Sequence, residues 1–150
     1  REAPAHFFRR GMHYLFSSGT TGYYPNPTLI HAGETYHGPF VNYGKAHHDA
    51  LENTSFNSQI SSVFMYPGKK DLYIALADRW ITDAAQSLPY EKSSAAFESI
   101  CNPDAPKVDL SCLHMDIDTS KAGYVWLPVK FDRDVPYLEW QDEWKVEDFM

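Results

Sequence analysis

Glu2 stands just before a segment that alternates like a β-hairpin, and a loop rich in aromatic, Asn and Pro residues follows at Gly22-Tyr23-Tyr24-Pro25-Asn26-Pro27. A carboxylic acid beside such a loop is what a sugar-cleaving site needs at its rim. The acid gives a proton to the leaving oxygen, and a second group must activate water or attack carbon. To work near neutral pH the acid must be kept protonated by burial or by a nearby like charge. In the loop, the hydroxyl and amide groups of Thr21, Tyr24 and Asn26 can hold sugar hydroxyls while an aromatic face covers the ring. On residue type alone the bland reading stands beside this one: Glu is rarely buried, and such loops also serve simply as turns.

Other chemistries find less support. Of the seven histidines, His47 and His48 are adjacent, which points their rings apart in a strand, and His31 and His37 flank a Gly-containing turn; neither pair has metal-ligand spacing, so no metal or other cofactor is expected. There is no Gly-rich phosphate cradle, nucleophile elbow or Cys-x-x-Cys pair. Cys101 and Cys112 lie close together in a Pro/Asp/Ser-rich stretch, which allows either a local disulfide or two free thiols. The formal net charge of -7 disfavours a nucleic-acid partner, since phosphate binding needs clustered Lys and Arg, and is compatible with a neutral saccharide. No apolar run approaches the ~20 residues of a membrane span.

The elements that must position these groups read as strands. With 150 residues, 43% of them hydrophobic, the chain can bury one core. Ten Tyr, nine Phe and four Trp favour strands, and ten Pro with eight Gly supply turns, so the fold class is all-β. Strands are expected at Ala5–Phe8 and His13–Ser18, turned by Arg9-Arg10-Gly11, then at Thr28–Ala32 and, more weakly, at Gly38–Val41. The order recurs with Ser58–Tyr66, a turn through Pro67-Gly68-Lys69-Lys70, Asp71–Trp80, Tyr124–Phe131 and Tyr137–Gln141. Four short antiparallel strands make one propeller blade. The units run over 1–45 and 54–145, the second interrupted by an insertion over 83–122 in which Ser93–Glu98 is expected to form one or two helical turns. Pro128 requires an edge or bulged position because it has no N–H to donate.

The sequence resembles glycoside hydrolase family 43, and within it the branch of exo-β-1,3-galactanases. The residues that carry the resemblance are Arg1-Glu2-Ala3-Pro4-Ala5, then Tyr14-Leu15-Phe16-Ser17-Ser18-Gly19-Thr20-Thr21-Gly22-Tyr23 with Pro25-Asn26. Asn57-Ser58-Gln59, Asp78-Arg79-Trp80, Tyr124-Val125-Trp126-Leu127-Pro128 and Glu139-Trp140-Gln141-Asp142-Glu143-Trp144 follow in family order. The match leaves out little besides the 83–122 insertion.

The resemblance implies a five-bladed β-propeller with its pocket on the axis, of which this chain would supply about two blades, the N-terminal half lying upstream. It implies an inverting, exo-acting hydrolase on β-1,3-galactan side chains of plant cell-wall glycoproteins, secreted, with a polysaccharide or oligosaccharide as its partner. Glu2 matches the general acid. Gln59 matches a glutamine near the reacting water, which either orients that water or passes a proton as its imidic tautomer. Trp80 is a candidate for the pocket wall, and Asp78 with Arg79 for a structural ion pair. Tyr23 stands where the pattern usually shows a tryptophan. Two other readings remain open at this point: an arabinofuranosidase or xylosidase of the same family, and a non-catalytic saccharide-binding fragment. A half-propeller would also expose strand edges and be poorly stable alone.

Overall fold

The computed structural model describes residues 1–48, 53–83, 86–114 and 116–150. β1 (Glu2–Arg9) and β2 (Met12–Ser18) are joined by Arg10 and Gly11, both at positive φ (49° and 86°). That two-residue geometry suits the right-handed twist of a hairpin. β3 (Leu29–Gly33) and β4 (Val41–Lys45) complete an antiparallel sheet in the order β1-β2-β3-β4. A second antiparallel sheet repeats the pattern with β5 (Gln59–Met65), β6 (Tyr73–Arg79), β7 (Gly123–Asp132) and β8 (Val135–Tyr137), in the order β5-β6-β7-β8. The inward faces of the two sheets share one core. Phe7, Tyr14, Phe16 and Ile30 come from the first sheet, and Ile60, Val63, Tyr73, Ala75, Val125 and Leu127 from the second.

Four details differ from the sequence reading. Glu2 is the first residue of β1 and not a residue ahead of the hairpin. The fourth strand starts at Val41 and not at Gly38, because Gly38 is at φ +79° and Pro39 brings no ladder donor. The last strand is only Val135–Tyr137; beyond it Leu138 leaves β7 and bridges in parallel to His47, with Leu138 N–H donating to the Ala46 carbonyl at 2.7 Å. The chain's end therefore ties back to the first sheet. The insertion carries a full α-helix, α1 (Tyr90–Cys101), about three turns long, and not one or two. Its Ser93, Ala96 and Ser99 repeat every third residue and form the buried face.

Pro128 pairs with Ile74 of β6, while β8 pairs with β7 only over Lys130, Phe131 and Asp132. Among the described residues the outer edge of β7 at Pro128 thus has no partner strand, as a missing N–H demands. Nearby, the Trp144 indole N–H donates to the Trp126 carbonyl at 2.8 Å and covers part of that edge. Cys101 and Cys112 are free thiols, so the disulfide reading does not hold.

Two polar devices lock the sheets together. Arg9, at 6% exposure, donates Nε and Nη2 to the Asp71 carboxylate at 2.9 and 2.8 Å, approaches Asp134 at 3.3 Å and lies 3.8 Å over the Phe131 ring. The second is the connection that enters β5. Ser55, Phe56 and Asn57 are all left-handed (φ 52°, 58° and 60°), a costly run for residues with a Cβ. It is held from several sides: Ser55 Oγ donates to the Asn26 carbonyl and accepts from Thr28 N–H, and the Ser58 hydroxyl donates to the Ser55 carbonyl. Arg79 also donates to the Phe56 carbonyl at 2.7 Å. The next residue but one is Gln59.

Candidate functional site

A bulge aims the acid. Ala5 pairs with Phe16, which would place Ala3 opposite Ser18, yet Glu2 takes that position. The extra residue is absorbed at Ala3, whose φ is +49°. Because Ser18, Phe16 and Tyr14 share the inward face of β2, Glu2 joins the face of Ala5 and Phe7 instead of pointing away from it. Re-aiming a side chain is a standard use of a bulge.

From there the Glu2 carboxylate meets the end of the second sheet. Gln59, the first residue of β5, donates from Nε2 to Glu2 Oε1 at 3.0 Å and to Ser18 Oγ at 3.0 Å. Trp80, just past the end of β6, donates its indole N–H to Gln59 Oε1 at 2.9 Å. The Ser18 hydroxyl, wholly buried, reaches back to the Glu2 carbonyl at 3.4 Å. Trp80's ring lies 5.4 Å from that of Tyr23, tilted by 54°. Three of the residues named from the sequence, Glu2, Gln59 and Trp80, therefore meet in one hydrogen-bonded set. Ser18 belongs to it too and was not singled out, since nothing in its type marks it; its register opposite Glu2 does.

The other three have a different position. Thr21, Tyr24 and Asn26 are buried, at 3%, 2% and 1% exposure. Their polar groups are turned on one another and on the backbone: Thr21 Oγ1 donates to the Tyr24 carbonyl, Asn26 Nδ2 donates to Thr21 Oγ1, and Asn26 Oδ1 accepts from Gly19 N–H. Tyr24 Oη accepts from His114 N–H at 2.7 Å. In this geometry they shape the loop that carries Tyr23, with their polar groups facing one another and the backbone. Asp78 and Arg79 likewise form no ion pair with each other among the described residues; Arg79 instead donates to Phe56 and stands 5.3 Å over Trp140. Neighbours along a strand point to opposite faces.

The insertion packs on the same loop. Phe97 of α1 lies so close to Gly22 that a Cβ there would stand 2.8 Å from its ring, and Gly22 is at φ +57°. Gly22→Ala is expected to lower stability by about 1 kcal/mol from backbone conformation alone, and by more if the ring cannot yield. A urea titration of the variant measures the loss, and adding Phe97→Ala should recover only the steric share.

Arg1 donates to the Ser17 hydroxyl at 3.0 Å and to the Ser17 and Pro27 carbonyls. Burial lowers the pKa of its guanidinium from the ordinary arginine value, and the side chain pins the start of β1 to the loop. The histidines are spread out. His47 is buried against Phe56, and His48 stacks on Tyr137. Among the described residues no three His, Cys, Asp or Glu side chains converge as metal ligands would. No described helix is long and apolar enough to cross a membrane.

No family model matches the chain, and no curated protein sequence does. Solved structures do match it. One is a GH43 β-1,3-galactosidase, at 26% identity and a TM-score of 0.71, covering 99% of this chain and 24% of that one. A second GH43 β-1,3-galactosidase, with galactodeoxynojirimycin, is 23% identical with a TM-score of 0.67, covering 95% of this chain and 32% of that one. An exo-β-1,3-galactanase from Clostridium thermocellum is 23% identical with a TM-score of 0.56, covering 93% and 23%. The chain spans 23% to 32% of the length of these structures. Its fold is that of the GH43 β-1,3-galactosidases and exo-β-1,3-galactanases along nearly its whole length.

Proposed function

We propose that this chain is a catalytic portion of a secreted, exo-acting glycoside hydrolase that cleaves β-1,3-galactan of plant cell-wall glycoproteins with inversion. Its two sheets would be two blades of a five-bladed propeller. The N-terminal half would supply its own carboxylates and the rest of the sugar pocket, with Gln59 helping to place the water. The observation that carries this reading is the Glu2 carboxylate, aimed inward by a bulge and held by Gln59, in a chain with the fold of GH43 β-1,3-galactosidases.

In this mechanism Glu2 protonates the oxygen of the departing galactan chain as the glycosidic bond breaks, and water attacks the anomeric carbon from the opposite face. Tyr23 and Trp80 line the pocket near the sugar. Thr21, Tyr24 and Asn26 act through the loop they brace. No metal or cofactor is needed for the step.

The test is release of galactose from a β-1,3-galactan by the chain joined to the rest of its propeller. Glu2→Gln should lower release by a hundredfold or more, the order of a lost general acid, ~10²–10⁴. Release of pentose and no galactose, from a mixture of galactan, arabinan and xylan, would overturn the substrate assignment.

A further inference from the structure

We infer that Gln59 positions Glu2, and that Trp80 and Ser18 are positioning residues that fix which way round the Gln59 amide stands. The inference rests on the glycosidase reading for its meaning, but its geometry belongs to this chain alone.

An amide has one end that accepts and one that donates, and a half-turn about its last bond exchanges them. The indole of Trp80 can only donate. By donating to Oε1 at 2.9 Å it assigns that atom as the oxygen, so Nε2 must be the atom facing Glu2 and Ser18. Both N–H bonds of Nε2 are then in use, one to Glu2 Oε1 and one to Ser18 Oγ. Ser18 accepts that bond because its own proton is directed at the Glu2 carbonyl. The set closes on itself: each donor has an acceptor, and reversing the amide would turn its oxygen toward the carboxylate.

Two consequences follow for the chemistry. Glu2 Oε1 is occupied as an acceptor, so Oε2 is the oxygen left to face the leaving group. The Gln59 nitrogen, with both its protons engaged inside the protein, has no lone pair to offer a water. Of the two roles open to this glutamine from the sequence, relay of a proton through nitrogen as the imidic tautomer is the one this arrangement opposes. Trp80 thus acts through its N–H as well as through its ring.

The experiment reads the amide itself, without reference to turnover, by NMR of the chain ¹⁵N-labelled and joined to the rest of its propeller. In the native chain the two Gln59 Nε2 protons should give separate signals whose exchange with water is about tenfold or more slower than that of the exposed glutamines, and Glu2→Gln should shift one of the two. In Trp80→Phe, which keeps a ring and loses the donor, exchange should return to within about twofold of an exposed glutamine and the response to Glu2→Gln should vanish. Ser18→Ala should release the other proton alone, and serves as the second variant if Trp80→Phe does not fold. Native exchange as fast as that of exposed glutamines, or signals unmoved by both variants, would overturn the inference. A native signature intact in a protein that releases no galactose would instead sink the glycosidase reading and leave the positioning standing.

Discussion

Asp71→Asn is expected to lower the free energy of unfolding by about 3 kcal/mol, toward the lower end of the ~3–5 kcal/mol seen when one partner of a buried ion pair is removed. The reason lies with the partner. Arg9 is 6% exposed, so losing the carboxylate leaves a buried cation with the more exposed Asp134, the Arg133 carbonyl and the Phe131 face. Asp71 is itself 31% exposed, which is why the low end applies. The pair joins β1 to the turn ahead of β6, so the loss should be one of global and not local stability. Urea denaturation measures it. Adding Arg9→Met should recover a good part of the loss, because the orphaned charge goes with it. A double variant as weak as the single one would show that packing, not charge, holds this corner. The Arg9 hydrogen bonds lower the pKa of the Asp71 carboxyl from its ordinary value. Its stabilising contribution is therefore complete above the unfolded pKa near 4 and fades as the pH falls through the lower folded value.

A second loss on acidification should begin well above that range. His47 is buried against Phe56 with Nδ1 unpartnered among the described residues, and burial pushes its pKa from 6.5 down to about 3. Between those two values the unfolded chain binds a proton that the folded one refuses, so stability rises with pH across the window and is complete above about 6.5. At about 1.4 kcal/mol per pH unit, the cost near pH 5 is on the order of 2 kcal/mol. His47→Phe keeps the ring contact and removes the proton site. It should be at least as stable as the native chain at pH 7, since it deletes an unsatisfied buried nitrogen, and should flatten the fall between pH 6.5 and 4. Thermal or urea melts across that range decide the matter; parallel profiles for the two proteins would rule His47 out as the cause.

The elements legible in the sequence are those whose signal is local. The first hairpin is fixed by alternation on both sides of Arg10-Gly11, where positive φ is cheap for the glycine, and β5 to β7 are marked by long apolar stretches between turn residues. What escaped depends on register and tertiary contact. Counting back from the hairpin turn puts Ala3 opposite Ser18, and nothing in Glu2-Ala3-Pro4 announces that the strand bulges there. The expected strand after Tyr137 has the right residues, yet its hydrogen bonds go to Ala46 and His48 because the first sheet offers a partner that β7 does not. In the site, Glu2 is marked by its place before the hairpin and the aromatic loop, whereas Gln59 and Trp80 are marked only by a resemblance; the three lie far apart in the chain and only the packing of the two sheets brings them together. Thr21, Tyr24 and Asn26 have side chains suited to a sugar, but the same groups suit a loop that must satisfy itself once α1 and His114 bury it.

The surplus residue at the start of β1 makes this strand respond unequally to changes in length. Loss of Ala3 would return the pairing to a regular register with the glutamate still opposite Ser18. A further residue gained at the same place would have to be absorbed by a second irregularity, or else the carboxylate would turn to the far side of the sheet. A deletion and an insertion, each of one residue, thus have opposite consequences for the acid. Natural variation in length here should run almost wholly in one direction.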